Sequence, residues 1–137
     1  SIPPSHVVLN VVHLPSDTRR SNALDTLASW RQLGGSVAID SDALGGHGFD
    51  RGGGPVDLVK LNPRLVGAST DQGRGESAAA AVIERAARSG ARVISEGVQT
   101  DEQQRVLTSL GCHAAQGPLI GAPDPELTQP ALAVLVA

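Results

Sequence analysis

Four side chains suited to work on a phosphodiester stand at the ends of short apolar runs. Asp40 closes V-A-I-D, Lys60 lies in L-V-K-L, Glu96 closes V-I-S-E, and Gln116 precedes Gly117 in A-A-Q-G. If each run is a strand of one parallel barrel, the carboxyl ends open at a common face, and residues far apart in sequence converge on one cleft. Side chains alternate along a strand, so an inward Asp40 carries Ala38 with it, and an inward Lys60 carries Leu58 and Asn62. Carboxylates in such a place can hold Mg²⁺ or Mn²⁺, and a lysine beside them can steady a metal-bound water for attack on phosphorus. Asp40, Lys60, Glu96 and Gln116 form the candidate ligand-binding constellation, with Lys60 and Glu96 as its catalytic groups and Asp40 as its metal ligand. A plainer reading stands beside this one: Lys60 and Glu96 as an ion pair kept for architecture, and Asp40 as a loop cap.

The elements that must position these groups follow from the apolar pattern. Val7 to Val12 is an apolar strand interrupted by Asn10. Ser16 or Asp17 can cap a helix to Leu33, with Leu24, Leu27, Trp30 and Leu33 as its buried stripe and Gly34-Gly35 as its stop. Ser36 to Asp40 is the second strand, and Asp57 to Leu61 the third. Glu76 to Ser89 is an alanine-rich helix closed by Gly90, and Arg92 to Ser95 is the fourth strand. Thr100 caps a helix to Leu110, and His113 to Ile120 contains the fifth strand. A last helix is expected from Pro125, interrupted at Pro130, with the closing A-L-A-V-L-V-A as its buried stripe. Gly45 to Gly54 is a loop, because each interior glycine costs a helix about 1 kcal/mol relative to alanine. It lacks the G-K-[ST] ending of a phosphate-binding P-loop. Gly67 to Gly75 reads as a mobile connection. His13 is expected to point away from the cleft, and His47 and His113 to be solvated.

Strands alternating with helices predict a parallel sheet in an α/β fold. The 137 residues, 40% apolar, suit a single domain spanning 1–137. An eight-stranded barrel needs at least roughly 200 residues, so the fold expected is a partial TIM-like barrel of about five parallel strands. Right-handed crossovers put all the helices on one face of such a sheet, and parallel sheets bury both faces. The other face is expected to be covered by further sequence, by self-association or by a protein partner.

Composition narrows the partners. A net charge of −3, with 11 Lys plus Arg, one Phe, one Trp and no Tyr, argues against nucleic acid. No run reaches the roughly 18 apolar residues of a membrane span, and no signal peptide opens the chain. The single Cys112 cannot form an intrachain disulfide. A cytoplasmic protein with no membrane partner is expected.

The four pieces V-A-I-D-S-D, P-V-D-L-V-K-L-N-P, V-I-S-E-G-V-Q-T-D-E-Q and G-C-H-A-A-Q-G-P together resemble the C-terminal half of EAL domains, the bacterial enzymes that hydrolyse cyclic di-GMP. The resemblance implies that Asp40 matches a metal ligand, Lys60 the lysine of the L-K-I-D strand, Glu96 the first glutamate of E-G-V-E-T, and Gln116-Gly117 the closing Q-G. It also shows where the family pattern is altered. Asn10 and His13 stand in place of two glutamates of L-E-I-T-E, Ser41 in place of the second ligand aspartate, Asn62 in place of the aspartate of L-K-I-D, and Gln99 in place of the second glutamate. Gln103 matches the family glutamine, and both Gln99 and Gln103 are expected to brace the following helix. The E-A-L motif, its adjacent arginine and a further asparagine ligand belong to the family's other half and are not among these residues.

The function expected on this basis is a catalytically inactive, degenerate EAL-like regulatory or protein-interaction module in bacterial cyclic di-GMP signalling, with no cofactor. Two alternatives are carried: a Mg²⁺- or Mn²⁺-dependent cyclic di-GMP phosphodiesterase, and a sensor that binds cyclic di-GMP without hydrolysing it.

Overall fold

The computed structural model describes residues 2–13, 19–42, 56–71, 73–122 and 133–134. A 3-10 turn at Pro4–His6 leads into β1 (Val8–Val11), followed by α1 (Arg19–Gln32), β2 (Ser36–Asp40), β3 (Leu58–Leu61), α2 (Pro63–Ala68), α3 (Arg74–Arg88), β4 (Arg92–Glu96), α4 (Asp101–Ser109), β5 (Ala114–Gln116) and β6 (Ala133–Val134). The strands lie in one open sheet in sequential order. β1 to β5 are parallel, and β6 runs antiparallel to β5. Five consecutive parallel strands with helices between them are the architecture expected from the sequence.

Register sorts the side chains into two faces. Ala38 pairs with Leu58 and Leu58 with Arg92, while Asp40 pairs with Lys60 and Lys60 with Ile94. Paired residues of parallel strands point to the same side. One side carries Ile39, Val59, Leu61, Val93 and Ala115, all buried. They pack with Val66 of α2, Ala79, Ile83 and Ala86 of α3, and Leu107 of α4 in a single core. The α3 residues recur at the spacing of one helical face. The other side carries Asn10, Ala38, Leu58, Asp40, Lys60, Ile94, Glu96 and Gln116, none of which belongs to that core, although Ala38 is buried.

β1 borders the sheet, with Val8 49% and Leu9 38% exposed although they point to opposite faces. An uncovered strand of this kind presents both unpaired backbone groups and apolar side chains. The opposite border is paired with β6.

Local polar contacts fix the ends of the elements. Trp30 Nε1 donates to the Ser36 carbonyl at 3.1 Å. Gly35 is required beside it, because a Cβ there would lie 2.1 Å from Trp30 Cε2. Arg31 grips Asp57 with two hydrogen bonds of 3.1 and 2.7 Å. The same carboxylate accepts from the Val37 N–H at 2.9 Å, so Asp57 joins the end of α1 to β2 just before β3. At α4, Thr100 and Gln103 form a capping box, with Thr100 Oγ1 accepting from the Gln103 N–H and Gln103 Oε1 accepting from the Thr100 N–H.

Three expectations are corrected. Residues Gly67 and Ala68, read as the start of a mobile connection, belong to α2, and Gly75 lies in α3. The cause is Asn62-Pro63: Asn62 Oδ1 accepts from the Leu65 N–H at 2.8 Å, and proline suits the first helical turn. Leu33, placed in the buried stripe of α1, is 67% exposed. It follows the last helical residue, at the turn into Gly34, whose φ is 91°; Leu27 is buried, while Leu24 and Trp30 are half-buried. The closing apolar run is strand, not helix, at Ala133–Val134, where it pairs with Ala115 and Ala114. A short continuous apolar run has no periodicity to separate the two. The Ser16 or Asp17 cap, the Gly45 to Gly54 loop with His47, and the Pro125 to Pro130 segment lie outside the described residues. Among the described residues no helix is long and apolar enough to cross a membrane.

Cys112 is buried beneath β4 and β5, with Sγ directed at the carbonyls of Val93 and Ala114 at 3.5 and 3.4 Å. Burial pushes its pKa above the ordinary 9.0, outweighing hydrogen bonds that act in the opposite direction. Two outcomes follow. A thiol reagent should label Cys112 only at the rate of chain opening, and prompt stoichiometric labelling in native buffer would contradict its burial. In the unfolded chain the thiol ionises at lower pH than in the folded one. Stability should therefore fall as pH rises past 9.0, and a Cys112→Ala chain should lose this part of the alkaline slope.

Candidate functional site

The carboxyl ends of the strands bring the candidate residues to one border of the open face, in two groups. At β1 and β2, Asn10 Nδ2 donates to Asp40 Oδ1 at 3.2 Å. At β3 and β4, Lys60 Nζ lies 2.7 Å from Glu96 Oε1, with the two side chains 23% and 26% exposed. Glu96 pairs in register with Gln116 of β5, whose side chain is exposed. Asp40 and Lys60 are lateral neighbours in register, but the ammonium takes its ion pair with Glu96.

The two positions after Asp40 are tied to Asn62. Ser41 is buried, and its hydroxyl accepts from the Asn62 N–H at 3.1 Å. Asn62 Nδ2 donates to Asp42 Oδ1 at 2.5 Å while its Oδ1 caps α2. Asn62 shares the strand parity of Lys60, as expected, but its amide serves the start of a helix. These contacts tie the segment after β2 to the turn after β3.

Beyond the ion pair, a cleft of about 600 Å³ opens between the ends of β4 and β5, lined by Pro63, Glu96, Gly97, Gln116, Gly117 and Pro118 among others. Its walls depend on two turns that approach closely. The Val98 N–H donates to the Gln116 carbonyl at 3.1 Å, and the Leu119 N–H to the Val98 carbonyl at 3.0 Å. A Cβ on Gly117 would lie 2.3 Å from the Val98 nitrogen, so only glycine permits this contact. The pairing of E-G-V with Q-G in the sequence thus has a steric cause.

The remaining polar candidates have structural duties. Gln103 braces the turn before α4 by accepting from the Gln99 and Thr100 N–H groups at 2.8 and 3.3 Å. Gln99 takes part through its backbone, and its side chain is exposed. His13 is exposed beyond the end of β1. His113 is exposed too, yet its Nδ1 accepts from the Val93 N–H at 3.1 Å. The Asn10–Asp40 contact was not legible beforehand. Shared parity on neighbouring strands was its only signal, and the register that brings the two together is a tertiary fact.

The described residues of this half of the domain do not by themselves supply the donors for a pair of divalent ions. No three His, Cys, Asp or Glu side chains gather among the described residues. Asp40 receives an amide, Glu96 an ammonium and Asp42 another amide, and Ser41 offers a neutral hydroxyl. Hard dications require several oxygen ligands, carboxylates foremost, to offset their charge.

Since both partners of the Lys60–Glu96 pair keep contact with water, Lys60→Met should cost only about 0.5–1 kcal/mol in urea unfolding. A loss of about 3 kcal/mol or more, as for a fully buried pair, would show that the charge is held out of solvent.

The EAL domain family model matches residues 1–123. The cyclic di-GMP phosphodiesterase RocR of Pseudomonas aeruginosa is 31% identical over 126 residues, which are 91% of this chain and 32% of that protein. The solved PaMucR phosphodiesterase, a c-di-GMP complex, superposes with a TM-score of 0.79 at 25% identity, over 90% of this chain and 51% of that one. The EAL domain of Mycobacterium smegmatis DcpA gives a TM-score of 0.77 at 27% identity, over 89% of this chain and 55% of that one. This chain therefore spans about a third of the length of RocR and about half of each matched structure. The family match runs from β1 past the cleft at the end of β5, and the chain belongs to the EAL domain family.

Proposed function

We propose that residues 1–137 act as one EAL-family domain in bacterial cyclic di-GMP signalling that does not hydrolyse the dinucleotide and works through contacts with protein. The observation that carries this reading is that Asn10 and Ser41, which stand in place of acidic residues of the family pattern, offer Asp40 a neutral amide and a hydroxyl turned to the Asn62 N–H. A metal-assisted displacement on phosphorus needs cations to clamp the attacking and leaving oxygens, and this half of the domain supplies too little negative charge to hold two of them. In this reading Lys60, Glu96 and Gln116 are the remnant of a site, and their present work is to order the ends of β3, β4 and β5.

The open face supports the protein-contact part of the proposal. Leu58 and Ile94 remain half-buried there, and Val8 is half-exposed at its border. A parallel sheet with one bare face is completed by more barrel, by a second copy or by another protein. Size-exclusion chromatography with light scattering should show self-association or a partner complex for the full-length protein. A monodisperse monomer with no apolar face open to a hydrophobic dye would contradict the interaction role.

A second reading is favoured by the cleft itself. Its 600 Å³ falls within the usual range of small-molecule sites. Relatives carry cyclic di-GMP in their names, which supports the same ligand here, held without turnover by Glu96 and Gln116 of the lining and by Lys60 beside Glu96. One preparation of the full-length protein separates the readings. The expected result is no linear dinucleotide from cyclic di-GMP at high enzyme concentration with Mg²⁺ or Mn²⁺; metal-dependent turnover would establish the phosphodiesterase instead. Calorimetric heat with cyclic di-GMP in the absence of turnover would favour the sensor, and none would favour the interaction module.

A further inference from the structure

We propose that the Asn10 amide stands in for a cation at Asp40, so that the carboxyl end of β1 and β2 is held by a hydrogen bond and is closed to divalent metal. The inference rests on the non-hydrolysing reading and goes beyond it by naming the residue that excludes the ion. An ionised carboxylate only accepts hydrogen bonds, so of the two ends of the Asn10 amide only the NH₂ can face Asp40. The 3.2 Å contact from Nδ2 to Oδ1 has this polarity.

The consequence is electrostatic. The amide hydrogens place partial positive charge against Oδ1, where a cation bound through that oxygen would sit. An ion on that lone pair would have to displace the donor, and one on the remaining Oδ2 would gain no anionic ligand from residue 10. The neighbouring positions do not compensate. The Ser41 hydroxyl is buried and accepts from the Asn62 N–H, Asp42 accepts from the Asn62 side chain, and Glu96 is paired with Lys60. A carboxylate at residue 10 would face Asp40 as a like charge and would need an ion between them. Asparagine removes that repulsion and joins the two strands directly.

The test uses the full chain with Mn²⁺ as the probe, read by titration calorimetry and by thermal unfolding with and without chelator. Wild type should show no Mn²⁺ binding that depends on Asp40, so metal-induced heat and midpoint shift should be the same in wild type and Asp40→Asn. The Asn10→Glu, Ser41→Asp double variant should bind Mn²⁺ at least about tenfold more tightly than wild type, since losing even an outer partner of a metal ligand changes affinity by that much. Its melting midpoint should rise with metal and fall with chelator. If the double variant does not fold, Asn10→Glu alone carries the same expectation.

Wild-type Mn²⁺ binding that Asp40→Asn abolishes would overturn the inference. So would a folded Asn10→Glu chain that binds Mn²⁺ no better than wild type. Both results stand apart from catalysis: turnover of cyclic di-GMP by the wild type would overturn the functional reading, whereas these measurements judge Asn10 and Asp40 alone.

Discussion

Hydrogen bonding in register across β1 to β5 decides which side chains can meet at the carboxyl end of this sheet. Asp40, Lys60 and Ile94 are lateral partners, and so are Glu96 and Gln116. Because paired residues of parallel strands face the same way, a slip of one residue in any pair would send a whole strand's candidates into the helix-packed core. The core prevents that slip. Ile39, Val59, Leu61, Val93 and Ala115 must stay under the helices, and their burial holds the alternate residues on the open face. The site is thus a by-product of packing on the other side of the sheet.

Within that frame, polar partners are found close by. Asp40 is met by an amide, Glu96 by an ammonium, and Ser41 and Asp42 by Asn62. Each contact ties one strand end to another. Only the Glu96 charge is met by an opposite charge, while Asp40 and Asp42 are met by neutral amides. A site that gathers dications places more carboxylates together, and they repel until the ions arrive.

Much of this was legible in the residues. Strand positions followed from apolar runs, the α4 cap from Thr100 and Gln103, and the register match of Glu96 with Gln116 from their equivalent places at strand ends. Helix α2 was obscured by Gly67, although Asn62-Pro63 carried the stronger signal of a helix start. The closing run misled because a few consecutive apolar residues suit a buried helix or a strand equally well, and its pairing with Ala114 and Ala115 depends on an edge the sequence does not display. Leu33 was assigned to the buried stripe by spacing alone, but α1 stops one residue short of it.

The sequence by itself determined the alternation of strand and helix, the family resemblance, and the residue types that occupy each strand end. Those properties are local, set by side-chain chemistry and by spacing along the chain. Tertiary structure decided the partners: that Asn10 donates to Asp40, that Lys60 pairs with Glu96, and that Gly117 must be glycine because the Val98 backbone lies against it. Such contacts join residues 19 to 36 positions apart, with the Asn10–Asp40 bond spanning 30. Their geometry exists only once strand register has been fixed by the burial of the opposite face.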